Sequence, residues 1–208
     1  MEELLFYGYE FLTGFIPFLV LFLALKYSHK KKQLRLGRSY DVWIFFFALY
    51  MIGVYHVTGA GTFYDGLLYG LEFRQDQINY LLFSGEIAVI PYLLNIVMFL
   101  PLGFLVPLIW KQMANLVRIL ELGLGFSLFI EISQLLNIRS TDIDDLLMNT
   151  LGALLGYLLY RIWTKWTGGK TQVVQTPFVE LPFYMAVVFA GRFFFFNEQG
   201  FAKLVYGF

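Results

Sequence analysis

IAVIPYLLNIVMFLPLGFLVPLIW fills residues 87–110 without one charged side chain. A helix crosses the hydrocarbon of a bilayer on about 20 mostly apolar residues, so this run is long enough to span. Inside hydrocarbon each backbone N–H and C=O must find its partner within its own segment, which makes a single span helical. The run is also too long and too continuously apolar for the alternation of a barrel strand. Three features interrupt its apolar surface. Asn95 places an amide among Leu and Ile. Pro101 removes one helical hydrogen bond and lets the helix bend. Gly103 lets a neighbouring helix come close.

Five further runs lie on either side of it, roughly at 7–26, 42–58, 116–136, 145–163 and 181–196, the last being the shortest. The expected fold is therefore an all-α integral membrane protein, a polytopic bundle of about six transmembrane helices. Composition agrees. Hydrophobic residues are 59% of the 208 and charged residues 14%, against roughly 25% charged in a soluble domain. The net charge is zero, so no basic surface points to nucleic acid. The absence of cysteine removes disulfides, Cys-based zinc sites and a Cys nucleophile. The start, Met1-Glu2-Glu3, is acidic where a cleavable signal would be basic, so the first run reads as a permanent helix.

Charges in the loops set the orientation. Lys26, Lys30, Lys31, Lys32, Arg35 and Arg38 fill the first loop, and Asp65, Glu72, Asp76 and Glu86 surround Arg74 in the second. Lys111 and Arg118 mark the third, Asp142 and Asp144 join Arg139 in the fourth, and Arg161, Lys165 and Lys170 mark the fifth. Basic loops alternate with acidic ones, which puts loops one, three and five in the cytoplasm and both termini outside. Three parts follow: two N-terminal helices with an outer loop (1–85), a three-helix core (86–163), and a cytoplasmic linker with a last helix (164–208). Within the second loop, Gly61–Phe83 mixes apolar residues with acids and reads either as an amphipathic segment at the outer head groups or as a partly ordered loop.

Ionisable groups in a span cost about 2.5–3.5 kcal/mol on insertion scales, so each asks for a reason. Glu131 and Gln134 are three apart and share a face near the outer end of the fourth span. A carboxylate flanked by Leu, Ile and Phe needs a cation or a hydrogen-bond donor. In the fifth span Asp145, Asn149, Gly152 and Gly156 form one stripe at helical spacing. The two glycines make a small-xxx-small face, so the polar end of the stripe faces other helices. Ser140, Thr141 or Asp142 would cap that helix, and acids in its first turn suit its dipole. Arg139, and Arg192 in the sixth span, are the expected counter-charges. His56 sits at the outer end of the second span as an interfacial residue.

Four strings in order, NIVMFLPLGFLVP (95–107), EISQ (131–134), Arg139 and DIDDLLMNTLGALLG (142–156), together resemble the VanZ-like family. The resemblance covers roughly 86–160. It implies a bacterial cytoplasmic membrane protein, and some members are implicated in lowered susceptibility to teicoplanin-type glycopeptides. The family's polar positions correspond here to Asn95, Glu131, Gln134, Arg139, Asp142, Asp145 and Asn149, with Pro101, Gly103, Gly152 and Gly156 as structural positions. The first expectation is an outer-leaflet polar pocket for a ligand of the membrane: a lipid head group, a lipid-linked wall precursor or a lipidated glycopeptide. The second is an enzyme on such a lipid, with Glu131 as general base and Glu131, Asp142 and Asp145 as oxygen ligands for a divalent cation. The third is a lipid transporter or scramblase.

Overall fold

Long apolar runs become long helices because a helix satisfies its own backbone and turns every side chain outward. The computed structural model describes residues 2–34, 36–70, 78–79, 81–83, 89–137, 141–168 and 179–207. Six helices longer than fifteen residues dominate it: α1 (Glu2–Lys31), α2 (Arg38–Thr58), α4 (Val89–Ile109), α5 (Leu116–Gln134), α6 (Ile143–Trp166) and α7 (Glu180–Phe195). Two short ones, α3 (Phe63–Tyr69) and α8 (Glu198–Tyr206), follow α2 and α7. The strands are a two-residue parallel pair, β1 (Ile78–Asn79) with β2 (Thr141–Asp142).

Among the described residues, four segments are long and apolar enough to cross a membrane: α1, α4, α6 and the one that holds α2. Helix α5 carries Arg118, Glu121 and Glu131, and α7 has only 16 residues. At 30 residues α1 is longer than the run 7–26, about 45 Å against a hydrocarbon core of about 30 Å. Its extra turns carry polar ends. The side chains are distributed as lipid demands: Val97 is 59% exposed while Asn149 is 2% exposed. A multi-pass membrane protein follows from this inverted pattern. Part of the amphipathic stretch 61–83 is α3, whose Thr62 makes a capping box with Asp65; residues 71–77 and 80 lie outside the described residues, as do 169–178 of the linker.

Contacts fix the helix directions. Asn95 faces Asp145, and Phe104 meets Trp163 further along, so α4 and α6 run parallel. Gly123 meets Ala153 and Ser127 meets Asn149, so α5 runs against α6. Helix α7 runs against α1, with Arg192 near Glu10 at one end and Glu180 near His29 at the other. Helix α2 runs with α7, because Tyr40 meets Glu180 and Tyr55 meets Phe189. One end of the bundle thus collects the start of α1, α4 and α6 and the finish of α2, α5 and α7. The opposite end collects Lys26, Lys30, Arg38, Lys111, Arg161 and Lys165.

Helices α4 and α6 touch backbone to backbone. A Cβ on Gly103 would lie 1.8 Å from the Ala153 carbonyl oxygen. One on Gly152 would lie 2.3 Å from that of Ile96, and one on Gly156 2.0 Å from that of Leu100. Lipid tails give no hydrophobic drive between helices, so close packing of this kind is what holds a bundle together. Helix α4 continues through Pro101 and Pro107 along this contact. Helices α1 and α7 repeat the device, with Gly191 against the Thr13 carbonyl at 2.2 Å from a built Cβ.

Gly103→Ala and Gly156→Ala should each lose at least about 1–3 kcal/mol, since rigid backbone faces the added methyl. Gly53→Ala, with open space around it, should leave thermal unfolding of the detergent-solubilised protein unchanged. Equal melting of all three variants would contradict the packing.

Candidate functional site

The end that gathers the starts of α4 and α6 and the finish of α5 also gathers carboxylates. Asp142 is the N-cap of α6, and its side chain accepts from Asp144 N at 2.9 Å. Its backbone N–H donates to Glu131 Oε2 at 3.2 Å, across from α5. Asn79 Nδ2 donates to both Asp142 oxygens at 3.3 Å, which ties β1 to the cap. Asp144 accepts from Tyr92 Oη at 2.6 Å and from Phe83 N at 3.0 Å. Asp145 accepts from Asn95 Nδ2 at 2.5 Å. Asp145 lies in the first turn of α6, three residues beyond the Asp142 whose N–H Glu131 accepts.

Four carboxylates this close would repel one another. Among the described residues their partners are amide and hydroxyl donors and the start of α6, whose dipole is positive there. Glu131 is 5% exposed and Asp144 2%, so these bonds form in a medium of low dielectric, where they are strong. Arg139, the expected counter-charge, lies outside the described residues. Arg192 does not reach this cluster.

Gln134 and Asn149 point elsewhere. Helix α2 ends at Gly59, which has φ 58, with Gly59 N bonded to His56 O and Ala60 N to Tyr55 O. The next carbonyls accept from side chains: Thr58 O from Gln134 Nε2 at 2.7 Å and Gly59 O from Asn137 Nδ2 at 2.8 Å. Asn149 Nδ2 donates to Ser127 Oγ at 2.9 Å, one turn below the acids. The Oε1 of Gln134 and the Oδ1 of Asn149 are buried without a protein partner.

A second polar cluster stands at the same end. Glu10 of α1 pairs with Arg192 NH2 at 3.2 Å and with His56 Nδ1 at 2.7 Å. Arg192 NH1 also donates to Ala60 O at 2.6 Å. This corrects the assignment of Arg192 as counter-charge to the acid cluster. The two sites are separated because α7 packs on α1 and α2, not on α6. A cavity of about 390 Å³ opens beside Glu10, His56, Asn137 and Arg192. The sequence carries a signal for Glu10 that spacing alone does not develop: it is the one acid inside the first apolar run. Tyr92, Asn79 and Ser127 carry none, since their partners Asp144, Asp142 and Asn149 all lie on or beside α6, far along the chain.

Among the described residues no three Asp, Glu or His side chains take up a metal-holding arrangement. Asp142 accepts from its own helix, and Glu131 accepts from Asp142's backbone N–H. What the arrangement offers instead is an acidic, hydrogen-bonding surface near lipid, framed by Asn95 and Tyr92 and by exposed Leu81, Leu82 and Phe83.

A family model described as VanZ/LLP1 matches residues 42–164, more than half of the chain. The match takes in α2 and the second loop as well as the 86–160 stretch. It leaves α1, α7 and α8 outside. No curated protein matches, and no solved structure does.

Ser127→Ala would leave the buried Asn149 amide without its acceptor. The expected cost is about 1–3 kcal/mol in unfolding free energy. Adding Asn149→Leu to Ser127→Ala should recover part of it, and a double mutant weaker than both singles would contradict this pairing.

Proposed function

The chain belongs to the VanZ/LLP1 family, and from that premise we propose that its acid–amide cluster binds the polar head of a lipid-anchored ligand in the outer leaflet. The ligand is a lipid-linked component of the cell envelope or a lipidated glycopeptide. Binding it contributes to protection against teicoplanin-type antibiotics. The observation that carries this reading is the meeting of Asn95, Glu131 and Asp145 from α4, α5 and α6 at one end of the bundle. Amide, carboxylate and backbone N–H groups recognise a sugar or peptide head, while exposed Leu93, Leu94 and Val97 on α4 offer an apolar track for an acyl tail. Catalysis is not part of this reading, since the histidine at this end, His56, is bonded to Glu10 away from the acids.

In this reading all six long helices span and both termini lie outside. Two features support it. The six helices alternate in direction, and the end remote from the acids is the basic one, as cytoplasmic ends are. A cysteine placed at Lys31 should resist a membrane-impermeant thiol reagent in intact cells, and one placed near Glu3 or Lys203 should react. Labelling at Lys31 with none at the termini would reverse the orientation; labelling at only one terminus would remove a span.

The functional test is expression in a susceptible Gram-positive host. Asn95→Leu deletes a hydrogen bond to a charged group, worth about 1.5–3 kcal/mol. Glu131→Gln and Asp145→Asn keep shape and remove charge. Each should abolish most of the protection against teicoplanin-type compounds at unchanged protein level, and Lys165→Gln at the other end should keep it. Full protection by all three outer variants would reduce the cluster to a packing device.

A further inference from the structure

The basic end of the bundle holds a groove that the outer site does not use. Helix α1 stops there in a left-handed turn: Gln33 has φ 57, with Gln33 N bonded to Lys30 O at 3.1 Å and Leu34 N to His29 O at 2.9 Å. This closing motif normally takes glycine. Here a side-chain-bearing residue is held in it, which folds the chain back and places Leu34 and Leu36 across from Leu23. Between them lies a cavity of about 770 Å³ whose polar lining includes Lys26, His29, Lys30, Gln33 and Asp41.

His29 is the informative residue. It is 6% exposed and lines the groove. Its Nε2 bonds Glu180 Oε1 at 2.6 Å, and the other Glu180 oxygen accepts from Tyr40 Oη at 2.7 Å. The second ring nitrogen, Nδ1, is buried with no partner. A carboxylate at Nε2 puts a proton on that nitrogen. Nδ1 then offers a lone pair in the neutral ring or an N–H in the charged one, and a hydroxyl can answer either. Lys26 is neutralised by Asp41 at 2.5 Å, whereas Lys30 has no acid partner among the described residues. One unpaired cation, one buried nitrogen without a partner, and a leucine-lined wall belong to the same groove.

We propose that this groove binds the head group of an anionic, hydroxyl-bearing phospholipid of the phosphoglycerol type. Lys30 takes the phosphate, His29 Nδ1 takes a head-group hydroxyl, and an acyl chain lies along Leu23, Leu34 and Leu36. The phosphate comes from the leaflet, not from solution, because the apolar wall would stay uncovered by a free glycerol phosphate. The site shares no residue with the outer cluster and stands or falls apart from it.

Native mass spectrometry of the purified full chain in detergent tests it, with added phosphatidylglycerol, phosphatidylcholine or phosphatidylethanol. Phosphatidylglycerol should be retained in preference to phosphatidylcholine. Phosphatidylethanol, which keeps the phosphodiester and lacks the hydroxyls, should be retained more weakly than phosphatidylglycerol. Lys30→Gln should weaken phosphatidylglycerol retention about fivefold, the usual effect of one basic residue near anionic lipid. Lys203→Gln, the same charge change at the far end, should not. Equal retention of phosphatidylglycerol and phosphatidylcholine, or equal behaviour of the two lysine variants, would overturn the site. Equal retention of phosphatidylethanol would remove the role of His29, and displacement by soluble glycerol 3-phosphate would replace a lipid site with one for a free phosphate.

Discussion

Backbone contact between α4 and α6 is the constraint on which the rest depends. Gly103, Gly152 and Gly156 let two parallel helices approach until one backbone meets the carbonyls of the other. No apolar drive brings helices together in lipid, so dispersion and weak Cα–H···O contacts at this distance must do it. The acid cluster is a consequence. Asn95 has a short side chain and reaches Asp145 only because the two helix axes are this close. A methyl group inserted further down would push the pair apart without touching either residue.

The second organising pair is α1 with α7, and it adds polar pairs at both ends to the glycine contact of Gly191. Glu10 with Arg192 closes one end and His29 with Glu180 the other. Both pairs are largely buried, where breaking one partner away would strand a charge and cost about 3–5 kcal/mol. Two buried polar pairs at the two ends fix the register of antiparallel helices, since sliding by one turn would unmake both. These helices lie largely outside the stretch that matches the family. They are attached to the family core through α2, which packs on α7 by Tyr55 and on α5 by Phe126.

Much of the polar inventory of the bundle serves helix ends. The last carbonyls of α2 accept from Gln134, Asn137 and Arg192. The first N–H groups of α6 are answered by Asp142 and Glu131. In lipid an unanswered end costs several kcal/mol. What distinguishes Asn95, Glu131 and Asp145 is therefore not polarity but convergence: three helices bring them to one place.

Helix type, the positions of the long helices and the stripe of Asp145, Asn149, Gly152 and Gly156 are readable from the sequence because they depend on two local quantities. One is the length of an apolar run and the other the 3.6-residue period, which puts those four residues on one face. Capping of α6 by Asp142 is local in the same way. The partners across space are not. Arg192 and Glu10 lie near opposite ends of the sequence, and nothing in the neighbourhood of Arg192 tells whether it meets Glu10 or Glu131. Gln134 shares a face with Glu131 by period, yet its amide turns to the α2 carbonyls while Glu131 turns to α6. Helix adjacency made those choices, and adjacency follows from which glycine faces meet. The sequence by itself determined where the helices run and which face of each is polar. Only the tertiary structure decided which carboxylate met which cation, because that outcome belongs to the packing of whole helices and to no single segment.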